Sequence, residues 1–161
     1  MTIKVGDRLP AGSFKTVGAE GPVEVTAADY FAGAKVALFG VPGAFTPTCH
    51  ANHLPRFLSL LDALKAKGVD KVACLAVNDV HVLKAWAAAT GAAGKIDFLA
   101  DGNADYVKRL GLESDRSSAG MGLRAVRFSM LVEDGVVKAL NVDATPGKVE
   151  DTGADRLLEQ I

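Results

Sequence analysis

The chain has 161 residues and two cysteines, with 49% hydrophobic residues, 23% charged residues and a formal net charge of −1. That profile fits one soluble globular domain, residues 1–161, large enough for a real core. With no basic run and no apolar stretch near membrane-spanning length, no nucleic-acid or membrane surface is expected.

In chain order, short strand-like runs at Ser13–Val17 and Pro22–Thr26 precede a turn of helix over Ala27–Phe31. Lys35–Val41 (KVALFGV) is apolar and rich in β-branched and aromatic residues, so it reads as a buried strand. Beyond it, Leu54, Phe57, Leu58, Leu61 and Leu64 share one helical stripe, which predicts a helix running to about Lys67 and stopped by Gly68. Its start signal is Thr46 at the N-cap and Pro47 at N1. Cys49 then falls at about N3, beside unpaired N–H groups and the positive end of the helix dipole, a setting that favours a thiolate. Pro55, inside the helix, predicts a kink near Ala51–Asn52.

Lys71–Val77 (KVACLAV) reads as a second buried strand and carries Cys74. Asn78 or Asp79 caps a helix through Thr90; Asp97–Ala100 is a short strand; Ala104–Leu110 is a helix ended by Gly111. Glu113–Gly122 reads as a loop. Arg124–Glu133 and Val136–Val142 form a hairpin about Asp134-Gly135, and a helix from about Asp151 closes the chain. Apolar strands alternating with helices, then a late hairpin, predict a mixed α/β sheet flanked by helices: a thioredoxin-like core with an N-terminal extension. Periodicity alone supports flavodoxin-like alternatives nearly as well.

The cysteines sit 25 positions apart, neither a CxxC pair nor a zinc-site spacing. A reducing, cytoplasmic compartment is the simplest expectation, and the N-terminus carries no apolar targeting stretch. On strand Arg124–Val132, strict alternation puts Ala125, Arg127, Ser129 and Leu131 on one face. An arginine there is either an active-site cation or a solvated edge residue, and the residues alone leave this open, with Arg124 the runner-up. His53 lies at i+4 from Cys49, so a Cys–His dyad competes with a structural histidine. His81 and Trp86 read as ordinary helix residues with an apolar or capping role, and Cys74 as a buried, inert thiol.

PGAFTPTC (Pro42–Cys49), followed by HxxHLPRFL, resembles the active-site signature of peroxiredoxins, in particular the type-five (plant type-II) subfamily. The likeness continues through VACLAVNDVHVLKAW and RFSMLVEDGVVKALNV. It implies a thioredoxin fold and reduction of hydrogen peroxide and alkyl hydroperoxides, with no metal and no bound organic cofactor. By the same resemblance Cys49 is the peroxidatic cysteine, Pro42 and Thr46 its pocket partners, and Arg127 its arginine. No cysteine follows Cys74, so the intramolecular disulfide of some type-five members is excluded in its usual form. The resemblance to one-cysteine members then implies an external thiol, glutathione with glutaredoxin or thioredoxin, to reduce the sulfenic acid. It also implies a homodimer, with Phe45 and the loop ending in Met121 at the interface. A sulfenate redox sensor is the alternative reading, and a cysteine hydrolase using His53 a third.

Overall fold

The computed structural model describes residues 1–143 and 147–161. A seven-stranded sheet, in the order β2-β1-β5-β4-β3-β8-β9, organises the chain. The N-terminal hairpin is β1 (Ser13–Gly18) and β2 (Gly21–Thr26), followed by α1 (Ala27–Phe31), whose Asp29 N–H is capped by the Thr26 hydroxyl. The central strands β3 (Lys35–Val41), β4 (Lys71–Ala76) and β5 (Asp97–Ala100) run parallel. On one edge of this trio β1 pairs antiparallel with β5; on the other, β8 (Arg127–Glu133) pairs antiparallel with β3 and with β9 (Val136–Asp143). The mixed thioredoxin-like sheet with an N-terminal extension is therefore as the sequence predicts.

Alternation along the buried strands divides the core in two. Ala37, Phe39 and Val41 of β3 and Val72, Cys74 and Ala76 of β4 face one helical layer. Val36 and Leu38, with Ala73 and Leu75, face the other. The first layer holds α2 (Leu54–Ser59), α3 (Leu61–Ala66), α4 (Val80–Thr90) and α6 (Ala154–Glu159), through Phe57, Leu64, Trp86 and Leu157. The second holds α1 and α5 (Asp105–Leu110), through Phe31 and Tyr106. At Gly40 the ring of Phe128 lies so close across the β3–β8 pair that a Cβ would stand 2.0 Å from it. Among the described residues no helix is long and apolar enough to cross a membrane.

Three local expectations need correction. The expected single cysteine helix is interrupted. Helical geometry opens at Pro47 as predicted, but Cys49–His53 forms a π-turn in which the Leu54 N–H donates to the Cys49 carbonyl. Pro55 has no N–H to offer Ala51, so the kink expected at Ala51–Asn52 takes the form of a widened turn. A second break at Leu60 (φ −103°, ψ 11°) separates α2 from α3. The stretch Glu113–Gly122 is more than a loop: β6 (Glu113–Asp115) pairs with β7 (Leu123–Ala125) around a 3₁₀ turn at Ser117–Ala119. Finally, the strand expected from Arg124 splits at Val126, whose N–H donates to the Leu112 carbonyl. Ala125 therefore packs with Phe128 and Met130 in the second core layer rather than on the face of Arg127.

Candidate active site

The strand-to-helix connection after β3 aims the residues singled out by the motif. Pro42 and Gly43 are buried, and Thr46 N–H and Thr46 Oγ1 both donate to the Gly43 carbonyl, at 3.4 and 2.6 Å. The Thr46 side chain thus closes the turn behind it instead of capping the helix, while its carbonyl accepts the first helical bond, from His50 N–H at 2.9 Å. Ala44 N–H donates to Asn78 Oδ1 at 3.0 Å, and Phe45 sits in the left-handed region (φ 63°). For a bulky residue that conformation costs on the order of 1 kcal/mol or more. It leaves the Phe45 ring half exposed and stacked on His50 at 5.7 Å.

Cys49 lies fully buried at the start of the π-turn, 0% exposed. Arg127, at the first position of β8, reaches across the sheet face and donates Nη2 to Cys49 Sγ at 3.2 Å. A guanidinium at this distance stabilises negative charge on sulfur. Its Nη1 meets His53 Nδ1 at 3.0 Å, and His53 Nε2 meets the Thr152 carbonyl at 2.9 Å. Burial first, and then the Arg127 charge, push the His53 pKa down to about 3. The ring is therefore neutral at ordinary pH, and its two contacts fix the tautomer: Nε2–H donates to Thr152, and the Nδ1 lone pair accepts from Arg127. So His53 bonds the arginine rather than forming the Cys–His dyad weighed from sequence. It acts as a rigid acceptor that aims the guanidinium.

This support continues outward. The Asp143 carboxylate, at the end of β9, accepts from the N–H groups of Glu150 (3.1 Å), Asp151 (2.8 Å) and Thr152 (3.3 Å), and from the Thr152 hydroxyl. Burial raises its pKa, but these donors outweigh burial and leave it below the usual carboxylate value. Separately, Thr48 Oγ1 of the cysteine helix donates to the Gly147 carbonyl at 3.0 Å. Nothing in the local sequence marks Asp143 or Thr152, because their partners lie across the fold; His53 to Thr152 spans 99 positions.

Above this layer opens a cavity of about 340 Å³ whose lining includes Pro42, Thr46, Pro47, Met121, Arg116 and Arg127. The structure thus gathers Pro42, Thr46 and Arg127 at one opening, with Cys49 joined to it through the guanidinium. Arg124, the runner-up cation, points elsewhere: Nε donates to the Met121 carbonyl (2.8 Å) and Nη1 to that of Pro42 (3.4 Å). Trp86 packs in the core from α4, the apolar role expected of it, and its Nε1–H also donates to His50 Nδ1 at 3.0 Å, tying α4 to the cysteine helix. His81 is exposed and its backbone N–H is taken by the Asp79 cap. Cys74 is fully buried, and burial pushes its thiol well up, with proximity to Cys49 adding to the effect. Among the described residues no three His, Cys, Asp or Glu side chains gather to hold a metal ion.

The redoxin family profile matches residues 4–158. Peroxiredoxin-2C of Oryza sativa is 42% identical over 160 residues, covering 99% of this chain and 98% of the relative. The mitochondrial Peroxiredoxin-2F of Arabidopsis thaliana is 45% identical over 133 residues, 83% of this chain and 66% of its own. Among solved structures, reduced Prx3 of Vibrio vulnificus in complex with hydrogen peroxide superposes with a TM-score of 0.93, at 46% identity and 98% coverage of both chains. Family profile, full-length relatives and fold agree: the chain belongs to the redoxin family and is a peroxiredoxin, a thiol-dependent peroxidase.

Proposed function

We propose that Cys49 is the peroxidatic nucleophile, that Arg127 and Thr46 hold the hydroperoxide against it, and that Pro42 shields the sulfur, with residues 1–161 working as one domain. The observation that carries this reading is the 3.2 Å bond from Arg127 Nη2 to Cys49 Sγ, made in a setting closed to bulk water. The Cys49 thiolate attacks the terminal peroxide oxygen; the S–O bond forms as the O–O bond breaks. Water or an alcohol leaves, and the sulfur becomes a sulfenic acid. The proton given up by the thiol ends on the departing oxygen.

Ionisation alone is a small part of the acceleration. A free thiol is a few per cent thiolate at pH 7, so complete ionisation gains only about thirtyfold. Positioning and charge stabilisation supply the rest. Because the Thr46 proton is committed to the Gly43 carbonyl, its oxygen faces the substrate as an acceptor for the peroxide O–H. The Arg127 guanidinium offers several fixed donors, so it can follow negative charge from sulfur to the leaving oxygen.

With no cysteine after Cys74, an external thiol resolves the sulfenic acid. Glutathione with glutaredoxin, or thioredoxin, supplies it in this proposal. The half-exposed Phe45 and the segment ending in Met121 support a homodimer, and the cytoplasm is the proposed compartment. Family membership favours turnover over a one-shot sensor. Steady-state peroxidase assays with each reductant test this. Many turnovers in the wild type and none in Cys49→Ser are expected; retained activity in Cys49→Ser would refute the assignment.

A further inference from the structure

Two clasps tie β9 to the end of the chain, and they lead to different places. The first is an amide pair. Asn141 Nδ2 donates to Gln160 Oε1 at 2.7 Å and to Ser129 Oγ at 3.1 Å, and Gln160 Nε2 donates back to Asn141 Oδ1 at 2.9 Å. It fastens the end of α6 to the β8–β9 hairpin. The second lies two residues on, at Asp143. Oδ1 of that carboxylate accepts from Asp151 N–H, and Oδ2 from the N–H groups of Glu150 and Thr152 and from the Thr152 hydroxyl. These donors match the roughly four lone-pair sites of a carboxylate. Two of them come from Thr152, the residue whose carbonyl takes His53 Nε2.

From Thr152 the path runs unbroken to sulfur, through His53 Nδ1 to Arg127 Nη1 and from Arg127 Nη2 to Cys49 Sγ. Asp143, Thr152, His53 and Arg127 are all buried, so each bond is made at low dielectric. Glu150–Thr152 belongs to no helix or strand. It has no ladder of its own to shape it, and the carboxylate gathers its three N–H groups instead. Asp143 also stands directly opposite Arg127 across the β8–β9 pair, which puts the two side chains on one face of the sheet. We propose that Asp143 is a positioning residue for peroxide reduction: by folding Glu150–Thr152 around its carboxylate it sets the Thr152 carbonyl, which through His53 holds the Arg127 guanidinium on Cys49. Asp143 touches none of the reacting atoms. It acts through the aim of the donor, where a displacement of about 1 Å costs a large factor in rate. Asparagine cannot replace it, because one of the two acceptor oxygens becomes an NH₂ group facing N–H donors.

The inference rests on the peroxidatic reading of Cys49, and the test separates the two. Single-turnover oxidation of the reduced protein by hydrogen peroxide is followed beside denaturant unfolding of each variant. Asp143→Asn is expected to slow oxidation about tenfold, and Asp143→Glu to recover part of the loss. Thr152→Val removes one bond to the carboxylate, leaves the backbone in place, and should cost about threefold. Asn141→Ala breaks the other clasp; it should lose stability yet oxidise within about twofold of wild type. In a His53→Phe background Asp143→Asn should cost less than about twofold more, because the two act in series. The ring nitrogens of His53, read by ¹⁵N NMR, should show the Nε2–H tautomer alone in the wild type and a mixture in Asp143→Asn. An unchanged rate in both Asp143→Asn and Thr152→Val, equal slowing by Asn141→Ala, or a tenfold loss that persists in His53→Phe overturns the inference. If Asp143→Asn fails to fold, Thr152→Val and its pairing with His53→Phe decide the matter. Wild-type oxidation no faster than that of a free thiol sinks the peroxidatic reading instead, and the His53 tautomer then shows separately whether Asp143 sets the ring.

Discussion

Cys49 and Cys74 make an instructive pair: both are 0% exposed, and both belong to the same core layer. Cys74 stands mid-strand in β4, opposite Phe39 on one side and Phe98 on the other, and burial holds it as a thiol. Cys49 stands where a strand gives way to a π-turn, with a guanidinium on its sulfur and a cavity beyond that guanidinium. Burial therefore does not tell the two sulfurs apart. A charged donor and an adjoining cavity do, and they are why the proposed chemistry is placed on Cys49.

The sharpest way to break this comparison is to exchange what the two sulfurs can do. Cys49→Ser is expected to abolish peroxide turnover in a coupled assay. Cys74→Ala should leave the rate within about twofold of wild type and cost about 1 kcal/mol in denaturant unfolding. A Cys74→Ala variant as dead as Cys49→Ser would mean that the second sulfur takes part in the chemistry. Next in size is the donor itself. Arg127→Gln should lower the single-turnover rate roughly 10²–10³-fold, as the loss of an oxyanion donor does. Arg124→Gln should cost less than about threefold, because its contacts are to backbone carbonyls.

His53 sharpens the account further, since it is argued to act through Arg127. His53→Phe should slow oxidation about tenfold by loosening the guanidinium, and His53→Gln, which keeps an acceptor and a donor, should recover most of that. The pH dependence of stability gives a second readout. The unfolded histidine takes up a proton near pH 6.5 and the folded one only near 3, so unfolding binds a proton between these values. Stability should fall as pH drops from about 6.5 towards 3. Asp143, with its lowered pKa, adds a loss in the same direction at the acid end of that range. In His53→Gln the histidine share of the slope should vanish; an unchanged slope would show that the ring is not held neutral in the fold.

Much of the architecture was legible because it rests on local pattern. The apolar runs of β3 and β4 and the Asp134-Gly135 turn fall where alternation and turn chemistry put them. The misses occur where backbone bonding is set by distant partners or by a missing donor. Pro55 announced a disturbance but not that it would become a π-turn around Cys49. The change of face between Ala125 and Arg127 depends on a bond from Val126 to Leu112, which no periodicity contains. The site divides the same way. Cys49 could be picked out from the helix-start signal alone, whereas the roles of Pro42, Thr46 and Arg127 came with the resemblance. Thr152 and Asp143 carried no signal, since a lone Thr or Asp near the C-terminus reads as loop until the fold brings it to His53.

The most direct test of the central claim is rapid-mixing oxidation of the reduced protein by one equivalent of hydrogen peroxide, with intact mass and peptide mapping of the product. The account predicts rapid loss of one thiol, a gain of one oxygen mapped to Cys49, and Cys74 recovered as thiol. Oxidation no faster than that of a free thiol, or an oxygen shared between Cys49 and Cys74, would contradict it.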